Sequence, residues 1–177
     1  MAGEDVSKNN RLCPVLAFKC LFNLARHPMM VGALQDAIGP NVLLILYGVW
    51  FKWPGTDTFV SWHQDGITHW ESPNWDQGSH GFNFMGQLYG CTPANGVWVV
   101  PGSHKVGRID IKAKVAGAGT ERLPDAVPMV CKPGDLVISN RQLLHGSFAN
   151  TSEDWRVTVI VGLFVTTRIF GNLFGFL

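Results

Sequence analysis

The fold is decided by WRVTVIVGLFV, residues 155–165, a long apolar run rich in β-branched residues. A second run of this kind is VLLILYGVWF, residues 42–51. Each run holds about ten residues, half of the roughly 20 that a membrane-spanning helix needs. Both runs therefore predict buried β-strands, and no membrane span is expected.

The other apolar runs after Pro40 are also short, and Gly, Pro or Asn repeatedly interrupts them. This rhythm is typical of a β-sandwich or jelly roll, whereas a parallel βαβ fold would need long helices that no segment here offers convincingly. Residues 105–126 are the most polar part of the second half and predict a solvated connection between strands. The remaining strands are predicted in GFNFMGQLYG (81–90), NGVWVVPGS (95–103) and VPMVCKPGDLVISN (127–140).

The length of 177 residues fits a single domain, residues 1–177, with three regions. Residues 1–40 predict a short helical region, residues 41–165 the β core, and residues 166–177 an atypical apolar tail. Two helical segments are expected in the first region. One is PVLAFKCLFNLARH, beginning at Pro14, and the other is MMVGALQDAIGP, ending at Gly39.

Composition and charge exclude several classes of protein. The chain is 46% hydrophobic and only 15% charged, which indicates a compact globule. Its net charge is +1 and it has no dense Lys/Arg run, so nucleic acid is not an expected partner. The four cysteines are scattered without a Cys-x-x-Cys pair, which argues against a zinc knot and a disulfide framework. The polar N-terminus does not resemble a signal peptide, so we expect a cytoplasmic protein.

A candidate metal site begins in WHQDG, residues 62–66, where His63 and Asp65 are two positions apart. On an extended strand both side chains point to one face. His145 lies 82 residues after His63, and in a closed antiparallel sandwich such distant strands can be neighbours. Two imidazoles and one carboxylate leave three octahedral positions open, as in non-haem iron(II) oxygenases. Zinc can occupy the same ligand set, so the ligand types alone leave the metal open.

A candidate anion site follows at Arg156, 11 residues after His145. A buried guanidinium is costly unless an anion meets it, and a dicarboxylate co-substrate held by the bidentate fork is such an anion. Ser147 lies two residues after His145, and Thr158 two residues after Arg156. Alternation puts each hydroxyl on the face of its neighbour, so we expect both to contact the same carboxylate.

Four blocks of sequence, in their order and spacing, resemble the phytanoyl-CoA dioxygenase family of iron(II)/2-oxoglutarate oxygenases. The resemblance covers residues 42–161. It implies a mainly β fold, the double-stranded β-helix or cupin-like jelly roll. The blocks are WHQDG (62–66), NGVWVVPGSHK (95–105), KPGDLVISNRQLLHGS (132–147) and NTSEDWR (150–156).

The resemblance also implies roles for individual residues. Iron(II) would be bound by His63, Asp65 and His145. The distal carboxylate of 2-oxoglutarate would be bound by Arg156 with Ser147. Relatives that halogenate replace the acid with a small residue, so the presence of Asp65 favours oxygenation.

Other candidate contacts are less specific. In related members the strand after the His-x-Asp segment also lines the co-substrate pocket. Alternation in FNFMGQL puts Asn83, Met85 and Gln87 on one face, and the polar Asn83 and Gln87 are the candidates for co-substrate contact. The tryptophans near the metal motif are expected mainly to pack, with Trp62 and Trp70 as candidates for substrate contact.

The function that the resemblance implies is hydroxylation of an unactivated C–H bond in a small organic molecule. The enzyme would use iron(II), 2-oxoglutarate and O₂, release succinate and CO₂, and use ascorbate as a possible reductant. Two alternatives stay open: a cupin-like metal-binding or sensor protein with little turnover, and a desaturase or epimerase that uses the same site. The sequence does not predict the oligomeric state.

Overall fold

The computed structural model describes residues 13–14, 23–40, 42–65 and 81–165. The expected apolar tail, residues 166–177, lies outside the described residues. In the described part, the helices are α1 (Pro28–Ile38) and α2 (Ile111–Ala118), with a short 3₁₀ helix at Ser103–Lys105. The strands are β1 (Cys13–Pro14), β2 (Val42–Lys52), β3 (Val60–His63), β4 (Gly81–Gln87), β5 (Val97–Val99), β6 (Val127–Pro128), β7 (Leu136–Asn140), β8 (His145–Ser147) and β9 (Arg156–Val165).

The strands form two antiparallel sheets. One sheet has the order β1-β2-β9-β4-β7 and the other the order β3-β8-β5-β6. Residues of both sheets line a common pocket between them. This arrangement confirms the prediction of a mainly β, cupin-like jelly roll, in which the two sheets pack face to face.

The apolar runs that predicted the fold are the two longest strands, and they pair along their whole length. The register runs from Val42 opposite Val165 to Lys52 opposite Arg156, with an irregularity between Leu44 and Leu46. Alternate residues of β9 point to opposite faces of the sheet. Its valines at 157, 159 and 161 are buried in the apolar clusters, whereas the residues at 156 and 160 line the pocket.

Helix α1 covers the outer face of the five-stranded sheet. Its Met30 and Leu34 are buried against Phe84 of β4 and Val161 of β9. The helix begins after His27, whose ring accepts a hydrogen bond from the backbone N–H of Met29 at 3.3 Å. It ends before Gly39, so the prediction of a second helical segment with this end is confirmed.

The first predicted helix needs a correction at its start. Cys13 and Pro14 form β1 and pair with Val49 and Gly48 of β2, so Pro14 does not begin a helix. Proline lacks a backbone N–H and is tolerated in an edge strand such as this one. Residues 15–22 lie outside the described part, and residues 23–25 are helical.

The predicted solvated connection, residues 105–126, also needs a correction. It contains α2, whose N-terminus is capped by Asp110 through a hydrogen bond from the backbone N–H of Ala113 at 3.0 Å. Apolar residues of this segment pack against the outer face of the four-stranded sheet, and Leu123 is buried there beside Trp62. The segment was misread because its apolar residues are spread among charged ones, so no continuous run indicated burial.

In the described part of the chain, no helix is long and apolar enough to cross a membrane. Cys91 and Cys131 are free thiols. They lie directly opposite each other in an isolated antiparallel bridge, with backbone N–H···O distances of 2.9 and 3.0 Å. Burial, and the neighbouring Cys91 thiol, raise the pKa of Cys131 to about 12.

Candidate active site

The three predicted metal ligands converge. His63 of β3 and His145 of β8 are cross-strand partners, and Asp65 follows β3 by two residues. One ligand atom from each residue lies within 4.8 Å of the others. Nε2 of His63 lies 3.5 Å from one carboxylate oxygen of Asp65, and Nε2 of His145 lies 3.8 Å from the other. Strand pairing thus brings together residues that the sequence separates by 82 positions.

The orientation of both imidazoles fits a metal ion. Nδ1 of His63 lies 2.7 Å from the carbonyl oxygen of Ser61, and Nδ1 of His145 lies 2.8 Å from that of Leu143. Because a carbonyl oxygen only accepts, each Nδ1 carries the proton and donates it. The lone pair therefore resides on Nε2, which faces Asp65, and this is the tautomer that binds a metal.

The burial and charges around His145 and Asp65 favour the protonation states that bind a metal. Burial, and the proximity of His63, lower the pKa of His145 to about 4, so its imidazole is neutral at pH 7. Burial opposes ionisation of Asp65, but His145, Arg141 and His63, with a hydrogen bond from Asn83, outweigh it and lower its pKa. A carboxylate and a neutral imidazole are the forms that ligate metals.

Asn83 orients the metal-site carboxylate. Its Nδ2 donates to Asp65, while its Oδ1 accepts a hydrogen bond from Nη1 of Arg141 at 2.5 Å. The backbone N–H of Asp65 donates to the carbonyl of Arg141 at 2.8 Å. Asn83 also lines the pocket, and its contact with the co-substrate stays a prediction.

Arg156 reaches the same pocket from the facing sheet. Its Nε donates to Oγ1 of Thr158 at 3.0 Å, and Thr158 donates to Oε1 of Gln87 at 2.7 Å. Thr158 and Gln87 are almost completely buried and do not line the pocket. The expectation that both contact the co-substrate is therefore replaced by a supporting position behind Arg156. Ser147, by contrast, lines the pocket as expected.

Lys52 is a pocket residue that sequence reasoning missed. It lies at the end of β2, directly opposite Arg156, and its side chain lines the pocket. Its Nζ donates to Oγ of Ser147 at 3.2 Å and to the carbonyl of Phe148. Burial, and the charge of Arg156, lower the pKa of Lys52 to about 7. The alternation of β2 gave a signal, since Lys52 lies two residues after Trp50 within an otherwise apolar strand.

Trp62 does not belong to the pocket. Adjacent residues of a strand point to opposite faces, so Trp62 lies on the side of β3 away from His63. It is 6% exposed, packs its ring 5.6 Å from that of Phe148, and donates from Nε1 to the carbonyl of Glu121 at 2.9 Å. Its expected substrate contact is therefore corrected to core packing. Trp70 lies outside the described residues.

A second, more open cavity also borders His63. Its other lining residues include Arg108 and Lys112, both exposed. The buried side chain of Gln64 fixes this wall: it donates to the carbonyls of Gly107 at 3.0 Å and Gln142 at 2.8 Å, and it accepts from the N–H of Ile109 at 3.1 Å. Gln64, which lies between His63 and Asp65, thus connects the metal-binding segment to the wall of this cavity.

The order and geometry of these residues agree with a known protein family. The family model described as phytanoyl-CoA dioxygenase matches residues 14–158. The chain belongs to the phytanoyl-CoA dioxygenase family. A curated relative, phytanoyl-CoA dioxygenase 1 of Oryza sativa subsp. japonica, is 34% identical over 110 residues. This match covers 58% of the chain and 37% of the rice protein, so the chain spans little more than a third of its relative.

Solved structures share the fold of this family member. EvdMO1 is 26% identical with a TM-score of 0.63, over 80% of the chain and 32% of that protein. HygX of Streptomyces hygroscopicus is 15% identical with a TM-score of 0.70, over 88% of the chain and 68% of that protein. The HygX structure contains nickel and 2-oxoglutarate. At 15% identity, the similarity to HygX shows a shared fold and no more.

Proposed function

We propose that the chain is an iron(II)- and 2-oxoglutarate-dependent oxygenase that hydroxylates an unactivated C–H bond of a small organic molecule. One observation carries the proposal: His63, Asp65 and His145 converge in the pocket that Arg156 enters from the facing sheet. A buried cation beside the three candidate ligands fits a co-substrate with a distal carboxylate, which would neutralise it. Membership in the phytanoyl-CoA dioxygenase family supports the same reaction class.

The metal is proposed to be held by Nε2 of both imidazoles and by the carboxylate of Asp65. Bound iron(II) supplies the redox chemistry that couples O₂ and the decarboxylation of 2-oxoglutarate to substrate oxidation. The chain itself supplies a fixed donor set. Asn83 and Arg141 hold the carboxylate, and the carbonyls of Ser61 and Leu143 hold the two rings.

The co-substrate is proposed to lie between the metal ligands and Arg156. The guanidinium of Arg156 forms charge-assisted hydrogen bonds with the distal carboxylate, and the hydroxyl of Ser147 lies beside it in the same pocket. Thr158 and Gln87 keep the guanidinium from rotating away. Burial strengthens these interactions, because water does not screen them.

The substrate is proposed to approach from the second cavity, which borders His63 on the side of Arg108 and Lys112. Ascorbate is proposed as a reductant that keeps the iron in its iron(II) state. A reducing compartment such as the cytoplasm suits this metal and the free thiols of Cys91 and Cys131.

The test is decarboxylation of 2-oxoglutarate with iron(II), ascorbate and O₂, measured as succinate. We expect succinate formation by the unchanged chain, loss of at least about 100-fold in Asp65→Ala, and a raised 2-oxoglutarate requirement in Arg156→Ala. Asp57→Ala, which removes an exposed carboxylate, is the matched control and should retain activity. Metal binding without any succinate would contradict the proposal and favour the sensor alternative.

A second measurement separates the outcomes open to the same site. With a substrate found by screening small molecules for increased succinate formation, the product mass is measured. A gain of one oxygen atom supports hydroxylation. A loss of two hydrogens indicates desaturation, and an unchanged mass with inverted stereochemistry indicates epimerisation; either would contradict the hydroxylase proposal.

A further inference from the structure

Two buried cations face each other across neighbouring strands. Lys52 of β2 and Arg156 of β9 are direct cross-strand partners, and they are only 3% and 5% exposed. Like charges at opposed positions repel, and burial removes the water that would screen them. No carboxylate among the described residues pairs with either side chain. The pair therefore requires an anion or the loss of a proton.

The hydrogen bonds of both side chains leave donors for that anion. An ammonium has three N–H donors, and within the described part of the chain Lys52 uses two of them, on Ser147 and Phe148. Arg156 has five, and those it uses in the same part go to Thr158 and to the carbonyl of Asn95 at 3.5 Å. Both side chains border the pocket that holds the metal ligands. The remaining donors can therefore converge on one carboxylate.

We propose that Lys52 is a second cation of the co-substrate site, so that the distal carboxylate of 2-oxoglutarate is held between Lys52 and Arg156 with Ser147 beside them. This inference rests on the proposed function and adds a binding residue to it. It also predicts co-substrate selection, because a 2-oxo acid without the distal carboxylate leaves the two cations without a counter-charge.

A purely structural role for Lys52 makes different predictions. In that role the side chain only ties β2 to the carbonyl of Phe148, and its loss would lower the stability without changing the preference between co-substrates. A binding role changes the affinity for a dicarboxylate and leaves the affinity for a monocarboxylate unchanged. Two ligands distinguish these roles: 2-oxoglutarate, and 2-oxopentanoate, which keeps the keto acid end and lacks the distal carboxylate.

The experiment is anaerobic calorimetric titration of both ligands into the manganese(II)-loaded protein. For Lys52→Met we expect the Kd of 2-oxoglutarate to rise by at least about tenfold, while the Kd of 2-oxopentanoate stays the same. Lys52→Arg should restore 2-oxoglutarate binding to within about threefold. Lys132→Met, which removes an exposed ammonium, is the matched control and should bind both ligands normally.

The outcomes separate this inference from the proposed function. If Lys52→Met binds 2-oxoglutarate like the unchanged chain while Arg156→Met does not, the inference is overturned and the oxygenase proposal stands. If the unchanged chain binds neither ligand, the oxygenase proposal itself fails. Thermal unfolding of each variant shows whether it folds. Where Lys52→Met does not fold, Lys52→Gln replaces it: a selective loss of 2-oxoglutarate affinity supports the inference, and an unchanged preference for 2-oxoglutarate over 2-oxopentanoate overturns it.

Discussion

Asp65 is the residue at which the hydrogen bonds and charges of the metal site meet. It lies beside both imidazoles, accepts a hydrogen bond from Asn83, and receives the influence of Arg141 through that amide. The metal ligands could be proposed from sequence because their residue types and spacing match a known chemistry. Arg141 could not, since its contact with Asn83 spans 58 residues of chain.

Arg156 could likewise be proposed from the sequence, whereas Lys52 was not. Arg156 carried a signal, because it occurs in a block that resembles the family and precedes an apolar strand. Lys52 occurs before a Trp-Pro-Gly turn, where a lysine commonly marks the exposed end of a strand. Its burial depends on Ser147 and Phe148, which are 95 and 96 residues away. Its alternation with Trp50 was a weak signal, and the packing of the two sheets is what establishes the burial of Lys52.

The lowered pKa of Lys52 predicts a pH dependence of co-substrate binding. Because its pKa falls from 10.5 to about 7, Lys52 of the free protein loses its charge as the pH rises through about 7. An anion binds the charged form better, so the Kd of 2-oxoglutarate should increase from about pH 7 to about pH 9. Calorimetric titration at several pH values measures this. Lys52→Arg, which keeps its charge, should show a flatter profile.

The lowered pKa of Lys52 also determines how the free energy of unfolding changes with pH. Below about pH 7 the folded protein carries the full cost of a buried charged lysine. Between about pH 7 and pH 10.5 only the unfolded chain retains the proton, so this contribution to the free energy of unfolding rises with pH. Arg156 and Glu121 are the charged groups that influence Lys52. Burial lowers the pKa of Arg156 itself to about 10, so the stability profiles are compared only up to about pH 9. Since Lys52→Arg retains every other group of the pocket, comparison of the two proteins isolates Lys52. Equal profiles would contradict the prediction.

At the scale of elements, the sequence predicted strands better than helices. Apolar runs bounded by Gly and Pro identified β2, β4, β5, β7 and β9, although no residue of β7 is fully buried. Helix α2 was missed, since none of its residues is fully buried and it contains Gly117. Its position depends on partly buried contacts with the four-stranded sheet, which a local pattern does not reveal.

The start of β4 offers a test of how tightly the five-stranded sheet is packed. A Cβ atom at Gly81 would lie 2.3 Å from the carbonyl oxygen of Leu163 on β9, so Gly81→Ala forces the two strands apart. We expect a loss of about 1 to 3 kcal/mol in the free energy of unfolding, measured by urea denaturation. Gly117→Ala is the matched control. A Cβ there meets nothing within 4 Å, and alanine should stabilise α2 by up to about 1 kcal/mol. Equal effects of the two substitutions would contradict this account of Gly81.

For the whole molecule, the sequence predicted a jelly roll but not its strand order. Short strands separated by turns restrict the fold to a sandwich or barrel. The pairing of β5 with β8, and of β2 with β9, depends on which faces fit together across the entire core. The position of the metal site follows from this order, because β3 and β8 are neighbours in the four-stranded sheet.

The pairing of His63 with His145 predicts that metal binding is a late event in folding. Before β3 and β8 pair, two of the three described ligands, His63 and Asp65, are close together in the chain, and His145 is not. Contacts between distant segments form slowly, because the loop between them must close first. In refolding from urea with a chelating dye as competitor, high-affinity capture of manganese(II) should therefore coincide with the slowest folding phase. Capture in an early phase would show that the ligand set assembles before the sheets. We therefore expect a protein of this design to bind its metal only after its chain has folded.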